Sequence, residues 1–239
     1  MSRYVVLFAR EPGREARAKG FDRQEAAELF AAFAAGWARA ADSVGARLVL
    51  ATPPEDMARW RRTAPAFAPD LAILQRGASF GERLKGVAAQ ALRLGGPAVI
   101  VGGDVAPSAT GLAAAFARLE EGCDAVLCPA PDGGVSLLSV PPEDLDLLRT
   151  LPRRRRDVFA ALARRLVHRG RRLAVIARLA DVDGRRALRR ILRGKPRSGL
   201  RALMRGALAR LAPPPKRQRP VERRVAATPN GLRAPPAAA

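Results

Sequence analysis

The 239-residue chain reads as one α/β domain, a mostly parallel sheet covered by helices on both faces, followed by a basic extension. Three observations predict this. Short, near-continuous apolar runs of β-branched and aromatic residues recur, as in strands buried on both faces. Between them lie segments whose apolar residues fall at helical spacing. Strands alternating with helices require right-handed crossovers, and therefore mainly parallel pairing.

Residues 4–8 (Tyr-Val-Val-Leu-Phe) form the first strand run, and 47–51, 71–74, 98–101 and 124–128 are of the same kind. Helical stripes separate them: Ala26, Leu29, Phe30, Phe33 and Trp37, then Leu84, Val87, Ala88, Ala91 and Leu92, then Leu112, Ala115, Phe116 and Leu119. After Cys128 the rhythm changes. The turn-rich Pro129-Ala-Pro-Asp-Gly-Gly134 leads at once into an apolar run over 135–140, so two strands lie close together and one is expected to be antiparallel. Val158, Phe159, Leu162 and Leu166 define another helix, 173–177 a further strand, and 181–184 the entry to a helix with Asp183 as its N-cap. The expected domain spans 1–192. Residues 193–212 follow as a basic amphipathic helix, with Leu200, Leu203, Met204 and Leu208 on one face and Arg201, Arg205 and Arg210 off it. From 213 to 239 Pro, Arg and Ala dominate and little can be buried, so a disordered tail is expected.

The net charge of +21 divides unevenly: the last 55 residues carry +15 and the first 184 only +6. Just four of the basic residues are Lys, and Ala is abundant, as codon bias in a GC-rich genome would give. Nucleic acid is disfavoured as a specific partner, because the basic extension holds no aromatic residue to stack on bases and no known module. A solvated tail ranks first and an anionic membrane surface second. Cys123 and Cys128 make neither a disulfide framework nor a zinc site. No apolar run approaches the roughly 18 residues of a spanning helix, and cytoplasm, with a possible membrane-peripheral association, is the expected location. His168, the sole histidine, sits among arginines on a helix's solvent side, which disfavours a hydrolase built on a His base.

In an open parallel sheet, ligands bind beyond the carboxyl ends of the strands. Behind the first strand, residues 9–19 read as a loop bearing Gly13 with Arg10, Arg14, Arg17 and Lys19, groups that suit a phosphate or diphosphate as well as a solvated surface. Residues 75–83 follow the third strand; Ser79 can cap the next helix, and Gly77 and Arg83 are candidates to contact a nucleotide. Gly102-Gly-Asp-Val-Ala-Pro107 follows the fourth strand. A carboxylate there costs free energy unless it binds something, and Gly102 and Gly103 would let a ligand approach. Mg²⁺ or Mn²⁺ joining Asp104 to a diphosphate would offset that cost; a helix cap is the plain alternative. Asp132 is a second carboxylate, in a turn that could equally be an ordinary Asp-Gly turn. Arg153 to Arg156 oppose a helix dipole, which favours an anion nearby.

These blocks together resemble, in order and spacing, a bacterial GT-A-like glycosyltransferase family formerly of unknown function. It includes arsenosugar-biosynthesis glycosyltransferases and is related to cofactor-biosynthesis guanylyltransferases. The blocks are residues 4–10 with Pro12-Gly13, Gln75-x-Gly77 through Phe80-Gly-Glu-Arg83, Val99-Ile-Val-Gly-Gly-Asp104, 124–134, and Asp181-Val-Asp183. The resemblance covers roughly 1–192 and implies a three-layer α/β/α nucleotide-diphospho-sugar transferase fold, a nucleotide-linked donor, and a divalent metal held by Asp104. The family's aromatic pair after Asp-Gly-Gly is Val135-Ser136 here, and its Trp-Ser-Thr stretch is replaced by arginines over 153–156. The expected activity is metal-dependent transfer of a sugar from a nucleoside-diphosphate donor, or of a nucleotidyl group. Asp104 and Asp132 would be catalytic, and Gly13, Arg14, Lys19, Gly77, Arg83, Gly102 and Gly103 would bind the nucleotide. The alternative is a catalytically degenerate nucleotide-binding or membrane-associated accessory protein.

Overall fold

The computed structural model describes residues 1–21, 23–152 and 155–193. The expected amphipathic helix from 193 and the tail from 213 fall, beyond Arg193, outside the described residues, as do Arg153 and Arg154. In chain order the elements are β1 (Arg3–Phe8), α1 (Pro12–Ala18), α2 (Arg23–Ser43), β2 (Ala46–Thr52), α3 (Met57–Thr63), β3 (Leu71–Leu74), α4 (Phe80–Leu92), β4 (Ala98–Gly102), α5 (Ala109–Glu120), β5 (Ala125–Pro129), β6 (Val135–Ser139), α6 (Leu145–Arg149), α7 (Val158–His168), β7 (Leu173–Val175) and α8 (Arg185–Arg193). The seven strands lie in the order β3-β2-β1-β4-β6-β5-β7. All pairings are parallel except those of β6, which runs antiparallel to both β4 and β5. The antiparallel partner expected after the 129–134 turn is therefore β6.

Each face of the sheet carries its own apolar core, because alternate residues of a strand point to opposite sides. Val5, Leu7, Val99 and Val101 face Trp37, Ala41, Leu112 and Phe116 of α2 and α5. Tyr4, Val6 and Ile100 face Leu84 and Val87 of α4, Leu147 and Leu148 of α6, and Leu162 and Leu166 of α7. A third cluster clamps α1 to α2 and α8 through Ala16, Phe21, Leu29, Phe30, Phe33, Ala106, Val182 and Leu188.

The helix at 12–18 differs from the loop expected there. Pro12 stands in its first turn, where a missing N–H costs nothing, and the buried Glu11 carboxylate accepts from the backbone N–H groups of Gly13 (2.8 Å) and Arg14 (3.0 Å). Ser79 caps α4 as expected, within a capping box completed by Glu82. Ser108, and not Asp104, caps α5 by accepting from Gly111 N at 3.0 Å. Asp183, two residues before α8, pairs with Lys19.

The tetrapeptide Pro-Pro-Glu-Asp occurs twice, at 53–56 after β2 and at 141–144 after β6. Each copy forms a single 3-10 turn and opens into a short helix, α3 on one face of the sheet and α6 on the other. Each ends in a fully buried Asp. Asp56 accepts from Glu11 N (3.1 Å) and Arg14 (2.7 Å), and Asp144 accepts from Arg169 (2.8 Å) and Arg171 (2.7 Å).

Candidate functional site

The carboxyl end of β4 is built for close approach of backbone to its neighbours. Gly103 N donates to Phe8 O (3.0 Å), and a Cβ on Gly103 would come within 2.5 Å of Ala9 Cβ, so only glycine lets the two strand ends approach this closely. The chain then turns at Asp104, and Trp37 of α2 fixes the following residue by donating from Nε1 to Val105 O at 3.0 Å. Beside this turn runs the segment 180–183. Ala106 N donates to Ala180 O (2.7 Å), Val182 N donates to Asp104 O (2.9 Å), and Val105 and Asp181 form an antiparallel bridge. Val182 is buried in the third cluster, so Asp181 and Asp183, two residues apart on an extended stretch, both project into the site.

Asp132 arrives from the turn between β5 and β6. Its Oδ1 accepts from Gly134 N (2.9 Å), and Gly133, at φ +88°, lies against the backbone of Arg156 and accepts from Phe159 N at the start of α7. Oxygens of Asp132, Asp181 and Asp183 all lie within 4.8 Å of one another. They form a hard, all-oxygen donor set suited to Mg²⁺ or Mn²⁺.

On the other flank, the Lys19 ammonium at the end of α1 pairs with both Asp104 and Asp183, and its side chain is only 7% exposed. Burial opposes the Lys19 charge, but Asp104 and then Asp183 outweigh it and hold the ammonium above the usual lysine range. Asp181 is pushed up to about 7, first by burial and then by Asp183, Asp104 and Asp132. Glu15 on α1 is raised too, by burial and by Asp104, against the lowering effect of Lys19 and Arg10. The site thus concentrates more negative charge than its one buried ammonium neutralises.

Of the residues singled out in the sequence, Lys19, Gly102, Gly103, Asp104 and Asp132 meet in this region. Gly13 and Arg14 lie at the opposite end of α1. There the Gly13 N–H is taken by Glu11, and the Arg14 guanidinium is taken by Glu55 (2.9 Å) and Asp56 (2.7 Å), which hold it above its usual range. Gly77 and Arg83 flank the start of α4, where Arg83 Nη1 reaches Gly77 O at 3.4 Å. Between them Phe80 is 56% exposed and meets the ring of Phe8 edge-on, with centroids 5.7 Å apart, which links this turn to the end of β1. In the sequence, Asp181-Val-Asp183 stands out only as a motif block and a helix entry. Its alternate spacing was the available signal, but its neighbours are set by pairing with residues 104–106.

A cavity of about 600 Å³ lies elsewhere, between α6 and α7, lined by Asp146, Leu147, Thr150, Ala161, Arg164, Arg165, His168 and Arg169. His168 is exposed there, as expected. It sits at the far end of an 11-residue helix whose first turn contacts Gly133, about 15 Å away along the axis. Arg165 and Arg169 are committed to Thr150 and to Asp144 and Asp146. The chemistry-bearing groups are at the carboxyl edge of the sheet, and the candidate site is placed there.

Residues 36–154 match the family described as "Uncharacterized protein conserved in bacteria (DUF2064)". That match covers 119 of the 239 residues. No curated protein sequence matches the chain. Among solved structures it is similar to a Desulfovibrio desulfuricans G20 protein provisionally named a nucleotide-diphospho-sugar transferase, at 22% identity and a TM-score of 0.72 over 87% of this chain and 96% of that one. A provisionally named glucose-1-phosphate thymidylyltransferase from Bacillus anthracis is similar at 12% identity and a TM-score of 0.53, over 86% and 96% of the two chains. Rv0371c from Mycobacterium tuberculosis H37Rv is similar at 19% and 0.50, over 82% and 100%. The chain therefore has a nucleotide-diphospho-sugar transferase fold, as the sequence blocks implied. Among the described residues no helix is long and apolar enough to cross a membrane.

Proposed function

We propose that this domain, residues 1–192, is a divalent-cation-dependent transferase with a nucleotide-linked donor. It moves the sugar of a nucleoside-diphosphate sugar, or the nucleotidyl group of a nucleoside triphosphate, to an acceptor. The observation that carries this reading is the convergence of Asp132, Asp181 and Asp183 beside Lys19 and Asp104 at the carboxyl edge of the sheet. The fold shared with the Desulfovibrio protein supports it. The donor set fits Mg²⁺ or Mn²⁺: it is all carboxylate, and its buried member carries repulsion that a cation would relieve.

Asp132, Asp181 and Asp183 would hold the ion, which supplies charge neutralisation for a departing diphosphate or pyrophosphate. Sequence alone pointed to Asp104 as the metal residue; in this reading Asp104 acts mainly by orienting Lys19. The missing side chains of Gly102 and Gly103 let Asp104 and Ala9 pack closely at the end of β4, so these glycines shape the site's floor. The exposed ring of Phe80 offers a flat apolar surface for a base, with Gly77 and Arg83 beside it. Phosphate binding falls to Lys19 and the exposed Arg10, since Gly13 and Arg14 are engaged within the fold. Positioning and electrostatic stabilisation would supply most of the rate enhancement.

Calorimetric titration with UDP-, GDP- and dTDP-sugars and with NTPs, with and without Mn²⁺, tests the reading on wild type and Asp132→Ala. Binding of at least one donor is expected to need the cation and to weaken more than tenfold in the variant. Absence of any cation-dependent binding would sink the proposal. Binding without turnover across acceptors would point to the degenerate, nucleotide-binding alternative.

A further inference from the structure

Lys19 and the carboxylate trio share a residue. The ammonium is held by Asp104 on one side and Asp183 on the other, while Asp183 is also one of the three carboxylates whose oxygens lie within 4.8 Å of one another. One side chain thus serves two cationic tasks. An ammonium and a divalent ion drawn to the same carboxylate repel each other strongly at such separations, because the site is shielded from water on the Lys19 side.

The backbone around Lys19 is held by hydrogen bonds and packing, whereas its ammonium is held by the carboxylates of Asp104 and Asp183. Its N–H donates to the carbonyls of Glu15 and Ala16, the next residue but one, Phe21, is buried in the third cluster, and Ala16 is buried with it. The flexible four-carbon stem can still carry the charge elsewhere. The groups facing the ammonium are Asp104 and Asp183, with Glu15 and Asp181 behind them and Arg10 as the nearby competing cation.

We propose that Lys19 is a cation-sensitive latch: a divalent ion loading onto Asp132, Asp181 and Asp183 takes Asp183 away from the Lys19 ammonium, and the released ammonium then meets the anionic phosphates of the donor. The latch rests on the cation reading given under Proposed function and adds to it an order of events. In the ion-free protein the lysine neutralises part of the acidic site and is hidden from anions. In the loaded protein the ion takes over that neutralisation, so ion and phosphate bind with positive coupling.

Two measurements on the full chain test this, with Mn²⁺ or Mg²⁺ as the only added ligand. Brief acetylation by an N-hydroxysuccinimide ester, read by mass spectrometry with Lys85 as internal reference, reports access to Lys19. The rate at Lys19 is expected to rise at least fivefold on addition of the ion while that at Lys85 holds. Mn²⁺ affinity, read by electron paramagnetic resonance, is expected to rise tenfold or more in Lys19→Met and to stay within threefold of wild type in Lys19→Arg. Mn²⁺ binding by Lys19→Met when wild type binds none would support the latch in its strongest form. Mn²⁺ binding to wild type with Lys19 still protected overturns the latch and leaves the cation reading standing, even if Lys19→Met binds more tightly, because the lysine would then act only through its field. No Mn²⁺ binding by either wild type or Lys19→Met overturns both. The acetylation arm needs no variant, so it stands if a substitution at position 19 impairs folding.

Discussion

Asp181 is the best place to perturb the charge balance of the site, since its carboxyl is buried among three others and its backbone is held independently by the bridge to Val105. Asp181→Asn keeps the shape and the capacity to hydrogen bond with Asp183 but removes one charge. The wild-type carboxyl is pushed from an ordinary 3.8 to about 7, so between those pH values the folded protein holds a proton that the unfolded chain has released. Stability must then fall as pH rises through that window, with no penalty below about 4 and the full penalty above about 7. Three pH units correspond to about 4 kcal/mol at most. The cluster opens to water at Asp183, and screening there roughly halves the figure, to about 2 kcal/mol. Urea unfolding in EDTA at pH 4.5, 6 and 8 should therefore show the variant within about 0.5 kcal/mol of wild type at the lowest pH. At pH 8 it should be about 2 kcal/mol more stable, or ~4–8 °C higher in Tm for a domain of this size. Parallel pH profiles for the two proteins, or a variant that loses ground as pH rises, would refute the reasoning.

Other substitutions probe the supports of the site. Asp56→Ala leaves the Glu11 N–H and the Arg14 guanidinium without their buried acceptor and should cost about 3 kcal/mol in urea unfolding, with an unchanged m-value. Phe80→Ala removes a ring that is more than half exposed, so Tm should shift by no more than about 2 °C. If the ring stacks on the base, affinity for a nucleoside diphosphate in the presence of Mn²⁺ should fall about tenfold while affinity for inorganic pyrophosphate holds, as calorimetry would show.

What the sequence made legible follows from which interactions are local. Apolar runs announce strands, and all seven appear where such runs occur, although β7 is not buried and ends at Val175, not at 177. The stripe from Leu29 to Trp37 likewise identifies the core of α2, and Ser79 with Glu82 marks the start of α4 by chemistry confined to four residues. The helix at 12–18 was hidden because its cap is a glutamate, an uncommon choice, and because Pro-Gly at its start reads as a turn. Its stability comes from Asp56, 45 residues beyond the Glu11 backbone that it holds. The candidate site was half legible. Positions after the strands pointed to Asp104 and Asp132, but the partnership of Asp181 and Asp183 with them depends on a bridge across 76 residues of chain to Val105. Nothing in the spacing of Arg14 could reveal that its charge is taken up by the corner at 53–56, or that Lys19 alone of the two turns toward the acidic site.

The two Pro-Pro-Glu-Asp corners bear on how so arginine-rich a chain folds at all. Each is a self-contained joint: the prolines set the bend, and the terminal aspartate is a buried anionic socket that accepts whichever guanidinium the surrounding fold can supply. One socket is filled from 42 residues upstream by Arg14, the other from 25 and 27 residues downstream by Arg169 and Arg171. In a protein with 43 basic and 22 acidic residues, negative charge is the limiting component. The placement of a few inward-facing aspartates then decides which arginines become internal struts and which remain at the surface. Replacing an arginine on that surface leaves the architecture largely indifferent, whereas losing one such aspartate leaves buried donors without an acceptor.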